Sequence, residues 1–181
     1  MTRCDWAQKA LEIDYHDQEW GKPKYDDAIL FEMLILEGMQ AGLSWSTILV
    51  KRENYRKALD GFDPQKIKDY NQDKLDSLLQ DAGLIRNRLK MRAIVKNAKA
   101  FIQVKAEFGS FSNYLWQYVS GHPIQHDYQT LSDVPASNDI SEQMSQDMKK
   151  RGFSFVGPTI CYAYMQSVGL VNDHLVSCDY R

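Results

Sequence analysis

Two pairs of metal-binding residue types lie at opposite ends of this chain, and they constrain the fold more than any other feature. Cys4 and His16 stand near the start, and His174 and Cys178 stand near the end. The spacing of His174 and Cys178 allows both side chains to face one ion, across one helical turn or on a tight turn. Two cysteines and two histidines make a standard tetrahedral zinc set. If they bind one ion, the two ends of the chain must meet.

A site with four protein ligands has a structural role, because no position on the ion is left for water or substrate. It would hold the termini together and leave the middle of the chain free for chemistry. The competing interpretation is chance, since the long gap between the pairs matches no compact zinc-finger spacing. The residue types alone leave both interpretations open.

Length and composition indicate one domain, with room for two lobes. The chain has 181 residues, of which 44% are apolar and 25% are charged, as in an ordinary protein with a sizeable core. No apolar run reaches membrane-spanning length, and the first residues contain no apolar signal-peptide core. The three cysteines are an odd number at wide spacings, which argues against a disulfide framework and favours the cytoplasm.

The charge is distributed unevenly along the chain. Residues 82–106 have a charge of +7 and no acid, which leaves −9 on the rest of a chain whose net charge is −2. The basic residues are Arg86, Arg88, Lys90, Arg92, Lys96, Lys99 and Lys105. An ordinary exposed helix favours opposite charges four residues apart. The absence of acids therefore favours an anionic partner over a merely solvated helix face.

Helical signals run through the chain and predict an all-α fold. Residues that can cap a helix precede apolar positions at helical spacing, and glycines follow them. The predicted helices cover about 27–40, 45–59, 72–82, 88–108, 111–119, 139–150 and 158–168, with a further helix start at 63–64. Residues 121–138 predict an extended crossover, and no alternating pattern predicts a strand.

The segment 79–86 predicts a turn between two helices, with Gly83 in the turn and the basic segment directly after it. It resembles a helix-hairpin-helix, a motif that binds a DNA phosphate through backbone N–H groups at a turn and a helix N-terminus. The usual hairpin carries two glycines, whereas this turn has one. An ordinary connection between helices is an equally good interpretation of these residues alone.

A carboxylate and an indole stand close together in the segment 36–45. Glu37 lies among apolar neighbours near the end of a predicted helix, and Trp45 opens the next helix. A buried carboxylate needs a partner or a function, because its burial costs free energy. Together the two side chains suit a flat ligand that is cationic or rich in N–H groups. The commoner interpretation of each residue alone is a half-exposed glutamate and a core tryptophan.

Longer motifs extend over essentially the whole chain. They lie at 3–6, 15–21, 36–45, 81–86, 150–162 and 171–174. Together they resemble the 3-methyladenine DNA glycosylase I family of small bacterial enzymes. The resemblance implies a helix-hairpin-helix glycosylase fold, one glycosylase domain over 1–181, and a zinc site that joins the N- and C-termini.

The resemblance also implies roles for particular residues. The ligands of one structural zinc ion fall on Cys4, His16, His174 and Cys178. The base pocket falls on Trp6, Tyr15, Glu37 and Trp45, with Glu37 as the catalytic residue. The expected DNA contacts are Gln40 and Leu43, in a loop that fills the gap left by the base, together with Gly83, Arg86 and Arg88. The activating aspartate of the wider superfamily has no clear counterpart, since Asp133 and Asp139 lie in poorly matching contexts.

The implied reaction is hydrolysis of the N-glycosidic bond of 3-methyladenine in double-stranded DNA, which leaves an abasic site. No lysine stands in the pocket motifs to form a Schiff base, and this indicates a monofunctional enzyme. Two other interpretations stay open: a non-catalytic, zinc-stapled module that binds DNA lesions, and an enzyme whose zinc ion is catalytic. We expect a cytoplasmic monomer without membrane contact.

Overall fold

The computed structural model describes all residues, 1–181, and α-helices dominate it. The helices are α1 (Ala10–Gln18), α2 (Asp27–Gln40), α3 (Trp45–Ala58), α4 (Pro64–Ile67), α5 (Gln72–Gln80), α6 (Arg88–Phe108), α7 (Phe111–Trp116), α8 (Asp139–Lys150) and α9 (Pro158–Ser167). Short 3-10 segments cover Asp60–Phe62, Gln117–Val119 and Leu131–Asp133. The all-α prediction is confirmed. No helix combines the length and apolar character that a membrane span requires.

The predicted caps set most of the helix starts. The Asp26 carboxylate accepts from two N–H groups in the first turn of α2, and the Ser44 hydroxyl accepts from one in α3. Asn71 and Asn138 cap α5 and α8 in the same way, and Asn87, which was not predicted as a cap, does the same for α6. These side chains satisfy N–H groups that have no partner within the helix. Because capping is a local interaction, the sequence predicts these boundaries well.

One helix, α1, and two very short strands have no predicted counterpart. The apolar residues of α1 form no continuous stripe, and only Tyr15 and His16 on it are buried. The strands β1 (Ile124–Gln125) and β2 (Val171–Asn172) pair in parallel within two otherwise irregular segments. Two residues are too few to produce a visible alternation of apolar and polar side chains.

Helix α2 is the centre of the fold. All its residues from Leu30 to Met39 except Glu32 are buried, as expected for a helix that is apolar around most of its circumference. Helices α3, α6, α7 and α9 pack around it. Glu37 is the only buried ionisable residue of α2, and it is 4% exposed. The fold thus places one carboxyl group in the interior, close to the end of the central helix.

The two termini meet on one side of this helical body. The Asp179 N–H donates to the Thr2 carbonyl at 3.0 Å, and the Thr2 N–H donates to the Asp179 carboxylate at 2.7 Å. The segment after β2 therefore lies against the segment before α1. This closure brings the two predicted ligand pairs together.

Candidate functional site

The four predicted metal ligands meet in one buried cluster where the termini join. The ligand atoms of Cys4, His16, His174 and Cys178 all lie within 4.8 Å of one another. Cys178 Sγ is 3.4 Å from His174 Nδ1 and 3.6 Å from His16 Nε2, and Cys4 Sγ is 3.8 Å from His174 Nδ1. Bonds of about 2.0–2.3 Å to a tetrahedral zinc ion would place its ligand atoms roughly 3.3–3.8 Å apart. These three separations match such a site.

The second nitrogen of each histidine ring fixes the ring's orientation. His16 Nδ1 lies 2.8 Å from the Asp17 carboxylate, and His174 Nε2 lies 3.0 Å from the Trp20 carbonyl oxygen. A carboxylate and a carbonyl only accept hydrogen bonds, so these nitrogens carry the ring protons. The other nitrogen of each ring then faces the cluster without a proton. Such outer partners are typical of metal-binding histidines.

Close packing around the cluster depends on Gly21. Its φ is +71°, and a Cβ at this position would lie 2.9 Å from Cδ2 of the His174 ring. Any other residue would therefore push the ligand ring aside or strain the backbone. The donor set, the spacing and the ring orientations all fit one tetrahedral zinc ion. Four protein ligands would leave it no open position for substrate.

An aromatic cavity of about 270 Å³ lies beside this cluster. Its walls include the four predicted pocket residues, Trp6, Tyr15, Glu37 and Trp45. The other residues that line it are Trp20, Gln40, Leu131, Val134, Ala163, Gln166 and Asp173. Ligand pockets usually have volumes of roughly 300–1,000 Å³. A cavity at the small end of this range suits one flat heterocycle.

Neighbouring residues connect the pocket to the metal cluster. Tyr15 and His16 are adjacent on α1, yet Tyr15 lines the pocket and His16 belongs to the cluster. The Trp6 ring lies between them, with its centroid 6.4 Å from that of Tyr15 and 5.3 Å from that of His16. Trp20 also spans the two sites, since its ring centroid is 4.7 Å from that of His174. The cluster therefore supports the aromatic wall of the pocket.

Three polar atoms in the pocket wall are buried without a hydrogen-bond partner. They are the Tyr15 hydroxyl oxygen, Glu37 Oε2 and Trp45 Nε1, and no other side chain in the protein has such an atom. Each unpaired buried group costs about 1–3 kcal/mol. A ligand with complementary donors and acceptors would recover that free energy. The three atoms therefore define a polar recognition site inside an aromatic cavity.

Burial controls the ionisation of Glu37. It raises the pKa of this carboxyl group to about 8, and the Ser167 hydroxyl offsets only part of the rise. Glu37 therefore holds a proton at neutral pH. A cationic ligand would favour the ionised form, because an opposite charge compensates for lost hydration. The ionisation of Glu37 therefore depends on the charge of the ligand in the pocket.

The sequence did not reveal Trp20, Gln166 and Asp173 as pocket residues. Trp20 stands in a recognisable motif, but its side chain had no distinguishing spacing. Gln166 reaches the cavity because α9 packs against α2, and Asp173 reaches it from the segment directly after β2, which lies against α9. The two aspartates considered from the sequence are elsewhere: Asp133 accepts hydrogen bonds from the Thr130 backbone and side chain, and Asp139 begins α8.

A projecting loop follows α2 at the edge of the pocket. Gln40 and Leu43 border a second cavity of about 220 Å³, which also involves Glu37 and the start of α9. Leu43 is 39% exposed. Lys90 fixes the start of this loop, because its Nζ donates to the Met39 carbonyl at 2.8 Å and to the Ala41 carbonyl at 2.6 Å. The predicted DNA-probing residues thus lie beside the pocket, on a supported loop.

The basic segment is less uniform than its composition suggests. Lys90 is 5% exposed and belongs to the interior, so it cannot contact a partner. Arg88 lies 3.5 Å from Asp76, and Lys105 lies 3.7 Å from Asp27, so both have acidic neighbours. The basic residues that are exposed and form no ion pair are Arg86, Arg92, Lys96 and Lys99. Four-residue spacing places Arg88, Arg92 and Lys96 on one face of α6.

The turn at Gly83 differs from the expected phosphate-binding hairpin. The Gly83 N–H donates to the Asp81 carboxylate at 2.7 Å, and the Gly83 carbonyl accepts from Asn54 at 3.2 Å. That N–H group is therefore not free to bind a phosphate. A second turn, at 151–157 between α8 and α9, contains two glycines, Gly152 and Gly157. Gly157 precedes α9 without a side-chain cap, so the first N–H groups of α9 stay free.

Comparison with known proteins bears on the family to which this chain belongs. The sequence model of the methyladenine glycosylase family matches residues 6–181. A DNA-3-methyladenine glycosylase from Haemophilus influenzae is 50% identical over 178 residues, which cover 98% of this chain and 96% of the relative. A crystal structure of 3-methyladenine DNA glycosylase I has a TM-score of 0.96 and 47% identity, with 98% of each chain covered.

A further solved structure bears on the ligand. It is a variant of 3-methyladenine DNA glycosylase I in complex with 3-methyladenine, with a TM-score of 0.96 and 36% identity over 99% of this chain and 97% of that one. The helical fold and the aromatic pocket with its buried carboxyl group define an enzyme of the DNA glycosylase class. The chain belongs to the methyladenine glycosylase family, and the resemblance inferred from its motifs is confirmed.

Proposed function

We propose that this protein hydrolyses the N-glycosidic bond of 3-methyladenine in alkylated double-stranded DNA and leaves an abasic site. The observation that carries the proposal is the set of three unpaired polar atoms in a base-sized aromatic cavity. Family membership and a solved relative in complex with 3-methyladenine support the identity of the base.

Base recognition is assigned to Trp6, Tyr15, Glu37 and Trp45. The Trp45 ring would offer the surface on which a flat base stacks, and the unpaired Tyr15 hydroxyl and Glu37 carboxyl group would form hydrogen bonds with the base. The methylated nucleotide is cationic, whereas a normal adenine nucleotide is neutral. Ionising the buried Glu37 is unfavourable beside a neutral base and favourable beside a cationic one. The carboxyl group thus binds the damaged base more strongly than the normal base.

The same carboxylate acts on the reaction. A cationic base is a good leaving group, so the enzyme needs little acid catalysis. An ionised Glu37 stabilises the positive charge that develops on the sugar as the glycosidic bond breaks. Water then attacks the sugar. No lysine lines the cavity, which supports a monofunctional hydrolase without a Schiff-base intermediate.

DNA must present the base outside the helix, which costs a few kcal/mol and least for a damaged base. Leu43 and Gln40 would fill the gap that the base leaves. Arg86 and Arg88 would bind the phosphate backbone together with the other exposed residues of the basic segment, Arg92, Lys96 and Lys99. Gly83 would contribute only by shaping its turn, whereas the free N–H groups at the start of α9 offer direct phosphate contacts.

Cys4, His16, His174 and Cys178 would hold one zinc ion, whose contribution is to fasten the termini and the aromatic wall. The core is continuous from α2 outwards, which supports one domain over 1–181. We place the protein in the cytoplasm as a monomer, and its three unpaired cysteines agree with a reducing compartment.

The test is incubation of the purified protein with methylated duplex DNA, followed by identification of the released bases by mass spectrometry. We expect free 3-methyladenine and an equal number of abasic sites. Tight binding to the methylated DNA without base release would support a non-catalytic lesion-binding module instead. Glu37→Gln serves as the matched variant, with base release slower than in the parent and DNA affinity nearly unchanged.

A further inference from the structure

One basic residue of the segment 82–106 has no access to an anionic partner. Lys90 is the only lysine or arginine in the protein that is buried, with 5% of its surface exposed. Burial lowers the pKa of its ammonium group. The basic residues near it on α6 have acidic neighbours, whereas Lys90 forms no ion pair. Because removing a charged group from water costs free energy, its hydrogen-bond partners indicate its role.

The partners of the Lys90 ammonium group are backbone carbonyls at the end of α2. They belong to Met39, at 2.8 Å, and to Ala41, at 2.6 Å. The last carbonyls of a helix have no partner within it, and a cation there also complements the helix dipole. The two carbonyls lie on either side of Gln40. A single ammonium group therefore fixes the backbone before and after that residue.

The backbone that carries Lys90 is also fixed. The Lys90 N–H donates at 3.0 Å to the side chain of Asn87, which is the N-cap of α6. Helix α6 has 21 residues and packs against α2. The ammonium group is thus attached to the first turn of a long, capped helix. This gives the end of α2 a rigid reference point in another element.

The projecting loop, residues 40–43, has few other restraints. Its internal hydrogen bond runs from the Leu43 N–H to the Gln40 carbonyl, at 2.6 Å. Gly42 has a φ of +78°, and a Cβ at this position would meet no atom within 4 Å. Apart from the helical bonds of α2, Lys90 supplies the only hydrogen bonds between residues 39–43 and the rest of the chain. The placement of Gln40 and Leu43 therefore depends on Lys90.

We propose that Lys90 is a positioning residue for base extrusion, which holds the loop 40–43 so that Gln40 and Leu43 enter the gap left by the flipped base. Lys90 acts through this loop and touches neither the DNA nor the base. The inference rests on the proposed function, because such a gap exists only where a base is taken out of duplex DNA. It gives one member of the basic segment a role other than phosphate binding.

The experiment uses Lys90→Met, which keeps the length of the side chain and removes its hydrogen-bond donors. A methylated oligo(dA) strand, alone and annealed to oligo(dT), presents the same lesions single-stranded and in a duplex. We expect Lys90→Met to release 3-methyladenine from the duplex about ten- to a hundredfold more slowly, the scale for a group misplaced by about 1 Å. Release from the single strand, which has no gap to fill, should be nearly unchanged. Lys57→Met, at an exposed lysine of α3, should match the parent on both substrates.

Further measurements separate positioning from a merely structural role. The affinity of Lys90→Met for free 3-methyladenine should equal that of the parent, because the pocket walls are unchanged. The dependence of DNA affinity on salt should also be unchanged, since Lys90 contacts no phosphate. Lys90→Arg keeps donors at this position and should retain more of the duplex rate than Lys90→Met. Thermal unfolding shows whether each variant is folded, and Lys90→Gln replaces Lys90→Met if that variant unfolds.

A double variant tests whether Lys90 acts through the loop. Leu43→Ala shortens the side chain that enters the gap. In a Leu43→Ala background, Lys90→Met should slow release from the duplex far less than it does in the parent, because both changes remove the same contact. Additive effects of the two changes, or equal slowing by Lys90→Met on duplex and single-stranded DNA, would overturn the inference.

A binding measurement distinguishes failure of this inference from failure of the proposed function. The preference for duplex DNA that contains an abasic site over intact duplex DNA reports on the loop without any excision, and it should fall in Lys90→Met. An unchanged preference would count against the role of Lys90. If the parent releases no 3-methyladenine, the proposed function fails, and the preference for the abasic duplex still tests Lys90.

Discussion

The metal cluster and the base pocket share α1 and an aromatic wall, but they differ in whether their buried polar atoms have partners. In the cluster, both histidine rings donate to outer acceptors and the four ligand atoms converge on one point. In the pocket, three buried polar atoms have no partner. The contrast begins between two consecutive residues, since His16 serves the cluster and Tyr15 serves the pocket.

This difference separates structural from ligand-binding chemistry in one small protein. A set of residues that satisfies its own hydrogen bonds and leaves no open coordination position stabilises a fold. A set that leaves buried donors and acceptors unpaired has a cost in stability, and binding a ligand removes that cost. The cluster supplies rigidity to the wall in which the pocket's unpaired atoms stand. Substitutions in the two regions should therefore move stability in opposite directions.

The largest effect is expected in the cluster. Cys178→Ala should lower the free energy of unfolding by at least about 3 kcal/mol, because structural zinc ions in small domains contribute roughly 10–16 kcal/mol. Cys161→Ala is the matched control, since Cys161 is equally buried but lies outside the cluster, and it should cost about 1 kcal/mol. Denaturant unfolding and zinc content measure both. Equal losses in the two variants would mean that the cluster does not hold a stabilising ion.

Glu37→Gln should show the opposite sign. The pKa of Glu37 rises from 4.5 to about 8 on folding, so the bound proton stabilises the fold at low pH and this contribution is lost as the pH rises through 8. Relative to the parent, Glu37→Gln should gain about 2–3 kcal/mol between pH 6 and pH 9. Unfolding at several pH values measures the gain, and Glu53→Gln, an exposed glutamate, should show little pH-dependent change. A pH-independent difference for Glu37→Gln would show that this carboxyl group is not perturbed by burial.

The same contrast explains what could be predicted from the sequence. Helix starts depend on caps such as Asp26 and Ser44, which act within one turn, and they were predicted correctly. The ligand types of the cluster are visible in the sequence, but their convergence depends on the closure of the termini. No local pattern separates that closure from chance, and only the resemblance favoured the metal site.

Pocket membership was harder to predict because it depends on how helices pack. Gln166 becomes a pocket residue only when α9 lies beside α2, and Asp173 only when the segment after β2 lies beside α9. Neither residue has a spacing that marks it. Lys90 is a different case. It stands four residues before the buried Ile94 and eight before the buried Ala98, so the helical pattern of α6 already places it on the inward face. Counting the charges along the segment does not show that Lys90 lies on this inward face.

Trp45→Ala should have a moderate effect that falls on the pocket alone. Loss of the stacking surface should weaken binding of free 3-methyladenine by roughly 1–3 kcal/mol, the usual scale for a base–aromatic stack. Trp45→Phe keeps an aromatic ring and removes the unpaired Nε1, so it should recover part of the affinity. Calorimetric titration with the free base measures both variants. If Trp45→Ala binds the free base as tightly as the parent, the tryptophan is a packing residue. Only Tyr15 and Glu37 then remain as recognition residues with unpaired polar atoms.

The smallest effect is expected outside both regions, in the basic segment 82–106. Arg86 is exposed and forms no ion pair, whereas Arg88 has Asp76 at 3.5 Å and Lys105 has Asp27 at 3.7 Å. Each lost phosphate contact should lower the slope of log affinity against log salt by up to about one unit, equally for all DNA sequences. Arg86→Ala should therefore change the slope most, Arg88→Ala less and Lys105→Ala least. Binding to undamaged duplex DNA at several salt concentrations measures this order. Unchanged slopes for Arg86→Ala and Arg88→Ala would move the phosphate contacts to the start of α9, where the free N–H groups would bind the backbone without a charged side chain.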